Sequence, residues 1–394
     1  MRRVWIALAT LGTALVLSAP ASARDPGRWT LTGWSSVPNK YWQGVATPGR
    51  GEPLFFSGFS SSGAFTGLHR TAPSLRETGT ADPVVPASVL AGEGYNHVGD
   101  VGYQGGRVLL PLECFTPGGP NGGNTCGTGS IGVADPATLA FQYYVKLDPA
   151  EIPKAMWVEA SPDGQLLWTS SGPDLLAYSA ADVSQANAAP GAAPIRAVRR
   201  LPGAVPPSGV TGAAFHRGRL FLAGAQGTTY QVWSVDVATG ARRLELELRN
   251  VQGEAEGLTQ VPLLGARLHF LVAPLAAKPT FGPTVGLLHF TPGRWAGRGL
   301  RVTTRAARQR SLRPRVTIRV TRAGKPVDGA TVSVAGFRAR TNAGGRALVK
   351  PKLGVAASFA ATARKGSRRG RSRFLRFGPT TATAAVYVAP YPAR

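Results

Sequence analysis

The stretch Gly94 to Cys114, G-Y-N-H-V-G-D-V-G-Y-Q-G-G-R-V-L-L-P-L-E-C, decides how the rest of the chain is read. Apolar residues alternate up to Tyr103, a Gln-Gly-Gly turn follows, and an apolar run covers Val108 to Leu112. Alternation on either side of a glycine turn specifies two antiparallel strands, because successive side chains of a strand point to opposite faces. The same hairpin recurs. P-L-F-F from Pro53, Q-L-L-W from Gln165, R-L-F-L from Arg219 and R-L-H-F from Arg267 each follow a Gly-containing turn, and the four intervals from Pro53 to Arg267 average 53.5 residues.

A third strand ends in an Asp-containing turn in three units, at Asp135, Asp182 and Asp236, and a fourth strand follows at Phe141 to Leu147, Ile195 to Leu201 and Arg243 to Leu248. Gly67-Leu68-His69 and Gly286 to Phe290 supply the third strand of the first and last units. Four strands per unit without helical periodicity is the pattern of a β-propeller blade. The last unit stops after its third strand, at Thr291-Pro292-Gly293, and Trp29 to Val37 alternates as the missing fourth. The expected fold is therefore all-β, a five-bladed β-propeller over residues 24–293 closed by Trp29 to Val37. A six-bladed ring, with a degenerate blade near Trp29 to Tyr41, is the alternative. Closure removes the open sheet edges that invite aggregation.

The stretch N-H-V-G-D-V-G-Y-Q-G-G-R-V-L-L-P-L-E, with P-D-G-Q-L-L-W and D-V-A-T-G, resembles secreted β-propellers of the broad strictosidine synthase-like and gluconolactonase-like group. That resemblance covers Arg28 to Gly293 and implies a calcium ion at the channel mouth, but it transfers no catalytic residues. Beyond a linker at 294–299 the pattern changes to R-V-T-I-R-V, G-K-P-V-D-G-A-T-V-S-V and T-N-A-G-G-R-A, strands joined by Gly/Asn/Asp turns. Residues 300–394 are expected to form an antiparallel β-sandwich. From Leu300 to about Phe377 this region is similar to bacterial immunoglobulin-like and carboxypeptidase regulatory-like modules.

Charge separates the two regions. Arg24 to Gly293 carries 19 Lys+Arg against 19 Asp+Glu, whereas Arg294 to Arg394 carries 24 Lys+Arg against the single acid Asp328. Such a basic module is expected to hold an anionic cell-wall polymer or another polyanion. At the N-terminus, Arg2 and Arg3, the apolar stretch Val4 to Leu17 and Ala21-Ser22-Ala23 form the pattern of a secretory signal peptide over residues 1–23. The mature protein is expected outside the membrane, secreted or associated with the cell envelope, with no later transmembrane segment. Export in turn favours a disulfide between the two cysteines, Cys114 and Cys126.

Signatures of common hydrolases, zinc peptidases and phosphate-binding loops are absent. What remains is topological. Asn96, His97, Asp100, Glu254 and Glu256 lie at or near the starts of inner strands, and Glu113 ends a second strand, so all six converge on one propeller face. Oxygen donors suit a hard cation, so Asn96, Asp100, Glu254 and Glu256 are the candidate calcium ligands. His97 and Glu113 are the candidate ligand contacts. Gln43 and Glu159 also belong to inner strands, with their facing open, since a one-residue slip reverses it. A secreted binding protein is the leading functional expectation, and a calcium-dependent lactonase, esterase or phosphatase is the alternative.

Overall fold

In the unit at Gly94 to Cys114 the strand Arg107–Glu113 pairs on one side with His97–Val98 and Gly102–Gln104. On its other side it pairs with Ser130–Ala134, which in turn carries Phe141–Lys146. Val108 to Glu113 is buried throughout, which is why it reads as an apolar run: a strand covered on both faces has no solvent side to mark with polar residues. The computed structural model describes residues 22–23, 28–116, 125–188, 191–249, 251, 253–273, 284–293 and 299–379. The expected signal, apart from Ser22–Ala23, which pairs with Leu248 and Arg249, lies outside the described residues. So do most of the 294–299 linker and residues 380–394.

Further antiparallel units begin at Gly44, Glu159, Gly212 and Glu254, each stepping outward strand by strand. The unit made of Glu254–Leu263, Ala266–Ala273 and Thr284–Pro292 is completed by Trp29–Pro38, paired from Trp29 opposite Pro292 to Pro38 opposite Thr284. The architecture is nearly all-β and propeller-type. A short helix, Ala87–Glu93, interrupts it and stops at Gly94, whose φ of 80° is left-handed. Its 7 residues are too few to write a helical period into the sequence. Among the described residues no helix is long and apolar enough to cross a membrane.

Trp29–Pro38 does not end the sheet. Its outer edge pairs with Ala357–Lys365, with Gly33 opposite Phe359 and Ser35 opposite Ala357, so the last propeller unit and the C-terminal region share one sheet. An exposed edge strand is a template for aggregation, and here the C-terminal region covers it. Thr331–Val334, Phe337–Arg340 and Arg368–Phe377 extend that sheet. Arg301–Ala307, Arg315–Arg322 and Arg346–Val349 lie in another, and Val302, Val316 and Ile318 from it share a core with Val332, Phe359 and Ala361.

Behind this seam runs a buried polar chain. Ser35 Oγ lies 2.8 Å from His289 Nε2, the Nδ1 atoms of His289 and His269 are 2.8 Å apart, and His269 Nε2 is 2.9 Å from the Val261 carbonyl. A carbonyl can only accept, so His269 donates from Nε2, accepts at Nδ1 from His289, and leaves His289 Nε2 to accept from Ser35. Both rings are neutral. Burial pushes His269 down to about 4 and His289 well below its ordinary value, helped there by the neighbouring His269. Burial likewise pushes His69 down to about 4.

Each of these folded-state values lies below that of an unfolded histidine. As the pH falls below about 6.5, the unfolded chain therefore takes up protons first, and each such histidine lowers stability by about 1.4 kcal/mol per pH unit until its own folded value is reached. Histidine ring resonances recorded across the titration check this. Those of His69, His269 and His289 should keep their neutral shifts down to about pH 5, and protonation near the ordinary value of about 6.5 would contradict the assignment.

Cys114 and Cys126 are disulfide-bonded, with Cα atoms 5.0 Å apart. Opening so short a loop should cost about 2–3 kcal/mol in the chain-entropy account. A Cys114→Ala/Cys126→Ala protein is expected to show that loss in urea unfolding, and an unchanged midpoint would contradict it.

Candidate functional site

Asp100 sits where the inner strands meet. Its Oδ1 accepts the Val45 N–H at 2.8 Å, and its Oδ2 accepts those of Ala213 at 3.0 Å and Leu258 at 3.3 Å. Its own N–H donates to the Met156 carbonyl and its own carbonyl accepts from Val158. One residue thus joins its unit to those containing Val45, Val158, Ala213 and Leu258. Each side-chain partner follows a glycine, and the glycines are obligatory. A Cβ on Gly44 would lie 2.7 Å from Asp100 Oδ1, one on Gly257 2.6 Å from the same atom, and one on Gly212 2.8 Å from Oδ2. Burial pushes the Asp100 carboxyl well up, and the three amides pull against that shift.

These contacts give Asp100 a structural role: both of its oxygens accept backbone amides, so it is a hub between the inner strands. Asn96 is also engaged locally, donating to the Phe115 carbonyl at 2.9 Å and accepting the Phe115 N–H at 2.7 Å. Glu159, whose facing the sequence leaves open, accepts the Phe215 N–H at 2.9 Å, and burial raises its carboxyl to about 8. Gln43 is buried, and its carbonyl accepts the Gly257 N–H.

The other expected residues gather beside this hub. His97 Nδ1 and Glu113 Oε1 are 2.9 Å apart, held by pairing of their own backbones. Glu254 accepts the Trp42 indole N–H at 3.0 Å. Glu256 is 8 % exposed. Burial pushes its carboxyl well above the usual range, and the charges of Glu254, Asp100 and Glu113, with a hydrogen bond to Glu254, push the same way. Neighbouring carboxylates are costly to ionise together, and that repulsion adds to burial in favouring the protonated form of Glu256.

Sequence reasoning missed the aromatic residues around these acids. Trp42 meets Phe59 edge-on, Phe59 packs on Phe65, and Phe65 and Phe115 both lie against the His97 ring. Tyr230 is fully buried, raised in pKa by burial and by Glu256 and Glu254, and its hydroxyl has no hydrogen-bond partner among the described residues. The alternation T-Y-Q-V-W in Thr229–Val235 marks Tyr230 only as an inward residue. Nothing in it tells that a strand from another unit brings carboxylates close. Among the described residues no three His, Cys, Asp or Glu side chains are disposed to hold one metal ion.

No family model matches the chain, and no curated protein does. Solved structures superpose loosely. Glutaminyl cyclase from Myxococcus xanthus is similar at 11% identity, over 70% of this chain and 100% of its own, with a TM-score of 0.43. An exo-β-1,3-galactanase from Phanerochaete chrysosporium gives 12% identity over 89% and 94% and a TM-score of 0.43. The PQQ-bound aldose sugar dehydrogenase of Streptomyces coelicolor gives 12% over 69% and 100% and a TM-score of 0.34. Likeness at this level transfers no activity to the present chain.

Proposed function

We propose that the protein is an exported binding protein: a five-bladed propeller that takes a cationic ligand at the acidic face beside Asp100, with an immunoglobulin-like β-sandwich that retains it on a polyanion. The observation that carries the ligand reading is the pairing of Glu254 and Glu256 on one strand, with Glu254 3.0 Å from the Trp42 indole at the start of an aromatic run and beside a buried Tyr230 hydroxyl that has no hydrogen-bond partner among the described residues. A carboxylate pair with aromatic faces suits an organic ammonium group, which gains from the charge and from the ring quadrupoles. Calcium is the other cation to consider. It needs six to eight oxygens, and Asp100 and Asn96 already use theirs on backbone groups.

Thermal melts of the full chain with tetramethylammonium chloride, with calcium chloride and with chelator test this, since a ligand of the folded state raises the melting temperature by mass action. The ammonium salt is expected to raise it in wild type and not in Glu254→Gln/Glu256→Gln. A rise with calcium alone would replace the ammonium reading, and no shift with either would remove the cation site. A second reading rests on the same pair of carboxyl groups. Two neighbouring carboxyls, one favoured in its protonated form by burial, are the parts from which a general acid and a base are made, as a hydrolase requires. Hydrolysis of ester, lactone or phosphate substrates, abolished by Glu256→Gln, would establish it.

A further inference from the structure

The basic residues of the C-terminal region are not spread evenly. On the sheet face that looks across to the propeller, Thr331 stands opposite Arg340 on one side and Arg364 on the other, and Ser333 stands opposite Arg338 and Thr362. Directly opposed residues share a face, so these six form two rows across three strands, Arg340-Thr331-Arg364 and Arg338-Ser333-Thr362, with hydroxyls along the middle and arginines at three of the four flanking positions. The rows are about 6.8 Å apart, two residues along a strand. Lys365 adds a fourth cation at the end of the face. The turn at Leu264-Gly265 of the last propeller unit forms the opposite wall, closing a cleft of about 580 Å³. Its lining holds Arg338, Arg340, Arg364 and Lys365 and no carboxylate, and none of the four has an acidic partner among the described residues.

We infer that this cleft binds a polyol-phosphate polymer, its phosphodiesters meeting the arginines of the two rows and its hydroxyls or phosphate oxygens meeting Thr331, Ser333 and Thr362. The inference rests on the polyanion reading above and gives it a place and a chemistry. Arginine pairs with phosphate bidentately, and two rows at a fixed repeat select a ligand whose charges also repeat. A single-stranded nucleic acid offers the same phosphates but binds through base stacking on aromatic platforms. The cleft offers no such platform. Its one aromatic lining residue, Phe359, is 1% exposed and stacked on His289. The sugar-phosphate strand without its bases is what the face can hold.

The test is calorimetric titration of the full chain with poly(glycerol phosphate), with oligothymidylate of matched phosphate count and with inorganic phosphate, at two salt concentrations. Poly(glycerol phosphate) is expected to bind most tightly and to weaken with salt. R338Q/R340Q/R364Q should weaken it about a hundredfold. R301Q/R315Q/R319Q, which removes equal charge from exposed positions on the other sheet, should weaken it less than about threefold. Melting curves and the single variants R338Q and R340Q guard against a folding defect. Oligothymidylate binding as tightly as the polymer, or both triple variants losing equally, would overturn the cleft while leaving salt-sensitive retention intact. If no polyanion binds at low salt, the cleft and the polyanion reading both fail.

Discussion

Asp100→Ala is expected to lose about 4 kcal/mol or more of stability, since three buried N–H donors would be left unpaired at about 1–3 kcal/mol each. The donors belong to Val45, Ala213 and Leu258, on inner strands of three different units. The loss would therefore be felt across the whole propeller rather than in one sheet. Asp100→Asn keeps one acceptor and turns an NH2 group towards an amide, so it should fall between wild type and alanine. Gly257→Ala attacks the same point from outside, because its new Cβ would meet Asp100 Oδ1 and lie 2.7 Å from Gly44 Cα. Overpacking of this kind costs about 1–3 kcal/mol. Urea unfolding of the three variants checks the series. An Asp100→Ala protein within about 1 kcal/mol of wild type would refute the hub.

The second large effect is expected at the seam. Gly33 faces Phe359 so closely that a Cβ would lie 2.2 Å from the ring and 2.5 Å from the Ser358 carbonyl. Gly33→Val should force Trp29–Pro38 and Ala357–Lys365 apart, at about 3 kcal/mol or more for a rigid core. The displacement would also disturb the stack of His289 on Phe359 and the packing of Trp34 on Phe374. Limited proteolysis should then cut the C-terminal region of Gly33→Val faster than that of wild type. Equal rates, with an unchanged melting temperature, would mean that the two regions are not held by this strand pair.

Repetition made the propeller-type architecture readable, since a turn and strand recurring about every fifty residues cannot belong to an ordinary two-layer domain. The pairing of Trp29–Pro38 with Thr284–Pro292 followed from a missing strand at one end and an unassigned one at the other. Its second partner did not. A strand with one paired edge looks the same in sequence whether its other edge meets solvent or another strand, and only Gly33, with no side chain to clash, hints at a close neighbour. The short helix at Ala87–Glu93 escaped for want of length.

At the site, chain order directed Glu113, His97, Glu254 and Glu256 to one face, where His97 meets Glu113 and Glu256 meets Glu254. It did not reveal the backbone contacts of Asp100. An inner-strand aspartate reads as a free carboxylate, because the amides that satisfy it come from residues 55 or more positions away. A signal was present in the recurrence of glycine before an apolar or small residue at Gly44-Val45, Gly212-Ala213 and Gly257-Leu258. Glycines that recur at one position of a repeat mark where backbones converge on something.

The proposed uptake of a cation at the acidic face by Glu254 and Glu256 is tested most directly by calorimetric titration of tetramethylammonium chloride into wild type and into Glu254→Gln/Glu256→Gln. Wild type is expected to bind, with affinity rising with pH as Glu256 gives up the proton that burial and its neighbours favour. The double variant is expected to show no heat beyond dilution. Equal binding by both proteins, or none by wild type at any pH where it stays folded, would contradict the account.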